Sequence, residues 1–122
     1  MEKQLNQAMT LRENGELNKS NRLLVELVEI YPFYASINYE CAQSFRLVGK
    51  ESEAVPYFEQ ALRLGLPSES LADTYLFLSH GYQVMGDQER AREALQKGNQ
   101  LKQQQNKLEQ HQRADDANKV TE

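Results

Sequence analysis

Three glycines set the frame of this chain. Gly15, Gly49 and Gly86 stand 34 and 37 residues apart, and the stretches they separate carry apolar residues at helical spacing, only weakly so before Gly15, where Gln4 and Gln7 interrupt the pattern. A self-similar period of this length is the signature of a repeat architecture, in which each unit is too small to bury its own apolar side and stacks on the next. Before the second glycine the stripe is Ile37, Cys41, Ala42, Phe45 and Val48; after it come Ala54, Phe58, Ala61 and Leu62. The first unit has Leu17, Leu24, Leu27, Val28 and Tyr31 behind Gly15, ended by Pro32. The third has Leu71, Tyr75, Leu78, Tyr82 and Met85 before Gly86, then Ala91, Ala94, Leu95 and Gly98. No run alternates β-branched or aromatic with polar residues for the length a strand needs. The expectation is six helices in three pairs.

Local signals refine the boundaries. Ser70 with Asp73 has capping-box spacing, and Asp87 is a candidate N-cap for the last helix. Pro56 removes a backbone donor, so a helix starting near Ser52 keeps it close to the first turn and predicts a local irregularity. All ten aromatic residues lie within residues 1–98, whereas 99–122 offer only Leu101, Leu108 and Val120 as large apolar side chains among many Gln, Lys and Asp. The core is therefore expected to end near Gly98, with a polar helical extension fraying over 114–122.

The second unit reads Ala42, Phe45, Gly49, Ala54, Phe58, Ala61 and, one place late, Pro67. That order, with Ala-x3-Phe in the second helix, resembles the tetratricopeptide repeat (TPR) family. The first unit follows with Ala8, Leu11, Gly15, Ser20, Leu24 and Pro32, and the third with Tyr75, Ser79, Tyr82, Gly86, Ala91 and Leu95. Small residues at 8, 20, 42, 54, 79 and 91 let helix backbones approach while the larger members fill the gaps, Leu11, Leu24, Phe45, Phe58, Tyr82 and Leu95 among them. The resemblance implies a right-handed α-solenoid of three repeats, 1–32, 33–66 and 67–98, with 99–122 as the extension. The wording of residues 53–66 is also similar to the second unit of small uncharacterised bacterial TPR proteins, which implies a bacterial cytosolic origin and no particular activity.

Composition excludes several roles. With 14 Lys and Arg against 18 Asp and Glu the net charge is -4 and the pI about 5.3, the wrong sign for binding by phosphate neutralisation. No apolar run is long enough to span a membrane, and no leader-like stretch opens the chain, so the cytoplasm is expected. A single cysteine, Cys41, allows no internal disulfide and reads as a small core residue.

In the TPR family the first helices line a concave groove. The resemblance therefore assigns Leu5, Met9, Arg12, Tyr39, Gln43, Arg46, Leu76, Phe77 and His80 to a peptide-binding face, with Asn6, Glu13, Glu40, Leu47, Asp73, Gln83 and Val84 beside them. Phe77, Tyr39, Met9 and Leu76 would anchor a protein or peptide partner, and Arg12 and Arg46 could meet an acidic group. The family's carboxylate clamp is not expected, since Leu5, Met9, Glu40, Asp73 and Phe77 occupy its positions. Neither catalysis, a cofactor nor a metal is expected: a Cys41/His80 pair would need a core thiol to ionise, and Glu40, Asp73 and His80 lack close ligand spacing. The alternative role is self-association, a homodimer in which Leu95, Leu101 and Leu108 of the C-terminal helices meet.

Overall fold

The computed structural model describes the backbone of residues 1–120 and the side chains of residues 1–110. Of the end expected to fray, 114–122, the backbone of 114–120 continues the last helix, and residues 121–122 lie outside the described range. The chain forms α1 (Glu2–Glu13), α2 (Leu17–Ile30), α3 (Ala35–Leu47), α4 (Glu51–Leu64), α5 (Ser68–Met85) and α6 (Gln88–Val120), with no strand among the described residues. The substantial contacts run α1 to α2, α2 to α3, α3 to α4, α4 to α5 and α5 to α6. Each helix packs on its neighbours in the chain, so the stack is open, a solenoid of helical repeats, and not a closed bundle.

The three turns within the pairs are built alike. Gly15, Gly49 and Gly86 adopt φ of 79°, 80° and 83°, the left-handed region that side chains resist. The residue after each glycine returns its N–H to the carbonyl five places back: Glu16 to Leu11, Lys50 to Phe45 and Asp87 to Tyr82, each at 2.9 Å. This is a Schellman closure, repeated at the spacing of the glycines. Asp87 caps α6 as expected, accepting the Arg90 N–H at 3.1 Å. Ser70 does not open α5, which starts earlier, at Ser68 after Pro67. Proline fixes the extended entry of the chain there and overrides the capping-box spacing. Through Pro56, α4 runs unbroken.

Within a pair, small residues set the helix crossing. Ser20 Oγ donates to the Ala8 carbonyl at 2.7 Å and Ser79 Oγ to the Ala91 carbonyl at 2.8 Å, while the middle pair uses Ala42 and Ala54, both buried. The hydroxyl therefore satisfies a carbonyl of the opposite helix and holds the weakly amphipathic α1 against α2. Two apolar clusters result. One joins Ala8, Leu24, Leu27 and Val28 to Ile37 and Cys41; the other joins Ala42, Val55 and Phe58 to Leu78, Tyr82, Ala91 and Ala94. Phe45 and Tyr57 touch both and make the core continuous.

The ends of the stack differ from its interior at equivalent positions. Where α3 presents Ile37, Cys41 and Ser44 to the preceding pair, and α5 presents Thr74, Leu78 and Gly81, all buried, α1 carries exposed Lys3, Gln7 and Thr10. On the outgoing side, Asn21, Leu24 and Val28 of α2 and Val55, Phe58 and Leu62 of α4 become Arg92, Leu95 and Asn99 of α6, all exposed. Leu95, expected to fill a gap in the core, is 46% exposed because no further pair packs on it. Polar substitution at the flanking positions thus wets both end faces, which is how repeat stacks avoid sticky ends. α6 makes no separate capping helix. It lies along α5 as far as Asp73 and Ser68, which meet Lys102 and Gln105, and its backbone continues to Val120.

Candidate functional site

The residues expected to bind a partner belong to α1, α3 and α5, the first helices of the three pairs. Their side chains are engaged with one another. Arg12 of α1 grips Glu40 of α3 twice: Nη1 donates to Oε2 at 2.6 Å and Nη2 to the Glu40 carbonyl at 3.1 Å. With both side chains only 22% exposed, this half-buried pair ties two repeats together and leaves Arg12 committed within the fold. Leu5 and Met9 are half-buried against the first core cluster.

Between α3 and α5 a closed circuit of contacts forms. Gln43 Nε2 donates to the Tyr39 hydroxyl at 2.9 Å, and Arg46 Nε donates to Gln43 Oε1 at 2.8 Å. The Arg46 guanidinium lies 4.2 Å over the Phe77 ring, which stacks on Phe58 of α4 at 5.5 Å; Phe58 meets Tyr39 edge-on at 5.8 Å. Because Phe58 is fully buried, the two flanking rings rest on a rigid base. Phe77 is thus half core, stacked below and covered by a cation above, where the resemblance had implied a free anchor.

The remaining predicted residues point elsewhere. Leu76 turns toward α6, where a Cβ on Gly98 would meet its Cδ2 at 2.7 Å. His80, whose side chain is 59% exposed, meets Glu51 of α4 at 2.9 Å. Asp73 pairs with Lys102 at 3.2 Å. Of the acidic groups expected beside the binding residues, then, Glu40 and Asp73 are each neutralised by an ion pair, and the outward surface of Tyr39, Gln43, Arg46 and Phe77 is left as an aromatic and hydrogen-bonding strip. Those four residues are among the ones the resemblance assigned; the Arg12–Glu40 bridge and the role of Phe58 were not read from the sequence, because pairing across helices has no local signal.

Cys41 and His80 are not joined. Burial pushes the Cys41 thiol up to about 12, so it stays protonated at neutral pH. Among the described residues no group of three His, Cys, Asp or Glu side chains could hold a metal ion, and no helix is long and apolar enough to cross a membrane.

A family profile described as tetratrico peptide repeat matches residues 35–117, about two thirds of the chain. The chain belongs to that family. Solved structures with the same fold include a crystal structure of MamA, 24% identical with a TM-score of 0.70 over 83% of this chain and 54% of that one. A second MamA structure is likewise 24% identical, with a TM-score of 0.69 over 83% and 57%. A chain of the CopN-Scc3 complex is 18% identical, with a TM-score of 0.69 over 80% and 55%. This chain therefore spans about half the length of the structures it matches. No curated protein sequence matches it.

Proposed function

We propose that this chain is an interaction scaffold that holds a segment of a partner protein along the face formed by α1, α3 and α5. The observation that carries the reading is the strip of Tyr39, Gln43, Arg46 and Phe77: polar ends and ring edges held in place by a buried base, ready to meet a partner without reordering. Preorganisation of this kind lowers the entropic cost of binding. Membership of a repeat family and the fold shared with a chain of the CopN-Scc3 complex agree with it.

Phe77 is a poor reporter of binding, because truncating a stacked, half-buried ring costs stability. Arg46 reports it better. Photo-crosslinking from Gln43 should capture a protein that Arg46→Glu releases, with the helical signal of the variant kept and its stability lowered by no more than about 1–2 kcal/mol, the cost of the ring contact and hydrogen bond it gives up. Capture that is indifferent to Arg46→Glu would remove this face from the proposal. The alternative, self-association through α6, is favoured by Leu108, 70% exposed beyond the end of α5. Leu95 and Leu108 lie roughly 140° apart around the helix, so one symmetric contact cannot use both.

A further inference from the structure

We propose that a cleft between α4, α5 and α6, lined by none of the residues of the Arg46 strip, takes an aromatic side chain of a partner protein, presented in a segment with acidic residues on both sides. The cavity there is about 510 Å³. Its origin lies in the repeat itself. In the second pair, the ring of Tyr57 fills the space between helices and stacks on Phe45 at 5.5 Å with the planes 17° apart. At the equivalent positions of the third pair Phe45 becomes Tyr82 but Tyr57 becomes Ala94. The stacking base is kept and the ring that covered it is gone.

What remains is a socket with apolar walls, Leu62, Leu78 and Tyr82 among them. Tyr82 is fixed from below, its hydroxyl donating to Glu59 at 2.9 Å, and Arg90 lies 5.9 Å from its ring centre. A visiting ring would restore the contact that Tyr57 makes one unit earlier, at a geometry aromatic pairs favour.

The rim gives the neighbours of that ring. Around Tyr57 stand Glu29 and Glu53, near enough that, after burial, their charges help raise its phenol above 10. The equivalent residues at the cleft are Arg63 and Arg90, and Gln60 is replaced by Lys97. The charge around the socket is thus reversed. Two carboxylates, Glu93 and Glu59, the latter accepting the Tyr82 hydroxyl, face the three cations, so the rim keeps a net positive charge. Arg90 has a long contact to Asp87 at 3.5 Å, and Lys97 makes no ion pair among the described residues. Such a rim attracts carboxylates on either side of the ring and repels cations.

Residues 99–122 do not supply the ring, since they contain no Phe, Tyr or Trp. A second copy offers Phe33, 77% exposed, but no acidic residue lies within three positions of it. An acid-flanked ring on another protein fits both features.

The test is an NMR titration of the intact chain with three synthetic peptides: one with the core Asp-Glu-Tyr-Glu-Asp, the same peptide with Ala for Tyr, and one with Lys at every flanking place. The first should shift amides around Tyr82, Ala94 and Arg63, and the other two should bind at least tenfold more weakly. Ala94→Tyr, which supplies the ring from within as Tyr57 does, should weaken the first peptide at least tenfold while unfolding stays cooperative. If that variant does not fold, Arg63→Glu with Lys97→Glu, both at exposed positions, should invert the preference toward the Lys-flanked peptide. Equal binding of the Tyr and Ala peptides, no binding at millimolar concentration, or shifts centred on Tyr39 and Arg46 would overturn the proposal. So would cleft shifts that appear without peptide as the protein is concentrated and vanish in Phe33→Ala, which would make a second copy the occupant.

Discussion

Gly81 sits where α5 comes closest to α4. A Cβ placed there would run into Val55 Cγ2 and lie 3.1 Å from the main-chain oxygen of Glu51. In open helix surface, Gly→Ala stabilises by about 1 kcal/mol, because alanine loses less backbone entropy. Here the new methyl has no room. Val55 is buried and β-branched, with little rotamer freedom in a helix, and the second obstacle is backbone. Relief therefore requires the two helices to part, an overpacking cost at the upper end of about 1–3 kcal/mol. The difference leaves Gly81→Ala destabilised by about 2 kcal/mol, a fall in Tm of about 8 °C for a domain of this length. Urea denaturation of Gly81→Ala, Val55→Ala and the double variant measures it. Since Val55→Ala removes the clashing methyl, the double variant should recover at least about 1 kcal/mol relative to the sum of the singles. A Gly81→Ala protein more stable than the parent, with additive behaviour in the cycle, would refute the close approach and with it the way the second and third pairs stack.

Two further outcomes follow from buried polar groups. Asn21 Nδ2 donates to Ser44 Oγ at 2.8 Å across the first interface, and both residues are buried. Ser44→Ala strands that amide and should cost about 1–3 kcal/mol in chemical denaturation, whereas Ser36→Ala on the exposed side of α3 should cost less than about 0.5. Cys41 and Tyr82 both ionise late in the folded chain, each pushed up to about 12 by burial first and, for Tyr82, by the bond to Glu59 next. Above their ordinary values of 9.0 and 10.0 the unfolded chain loses these protons while the folded chain keeps them. Stability is therefore full below pH 9 and declines from there toward pH 12. A series of Tm values between pH 8 and 11.5 should bend downward above 9, and less so in Cys41→Ala relative to its own value at pH 8.

The helix order, the glycine turns and the small-residue crossings were legible because they rest on local rules: a period of 3.6, a left-handed residue at each turn, and Ala or Ser where backbones cross. The start of α5 was misread since Pro67 competes with Ser70, and only the entry geometry decides between them. Leu95 looked like core because its equivalents Leu24 and Phe58 are core; a following pair, not the residue, makes that position buried. Phe77 looked like a surface anchor because helical spacing places it off the main stripe, yet Phe58 from another helix reaches it. Arg12 was read as available for a ligand, and Glu40, 28 residues away, holds it. The exchange of Tyr57 for Ala94 went unread, because its consequence depends on the neighbouring helices, whose separation turns a missing ring into a cleft.

The central claim is that the pairs are held by stacking and not by their own helical preference. Hydrogen–deuterium exchange of the intact chain, resolved by helix, tests it most directly, because local opening energies map which elements depend on neighbours. Protection should be greatest in α3 and α4, which are packed from both sides, and should decline outward to α1. Protection in α1 equal to or above that of α4 would contradict the account.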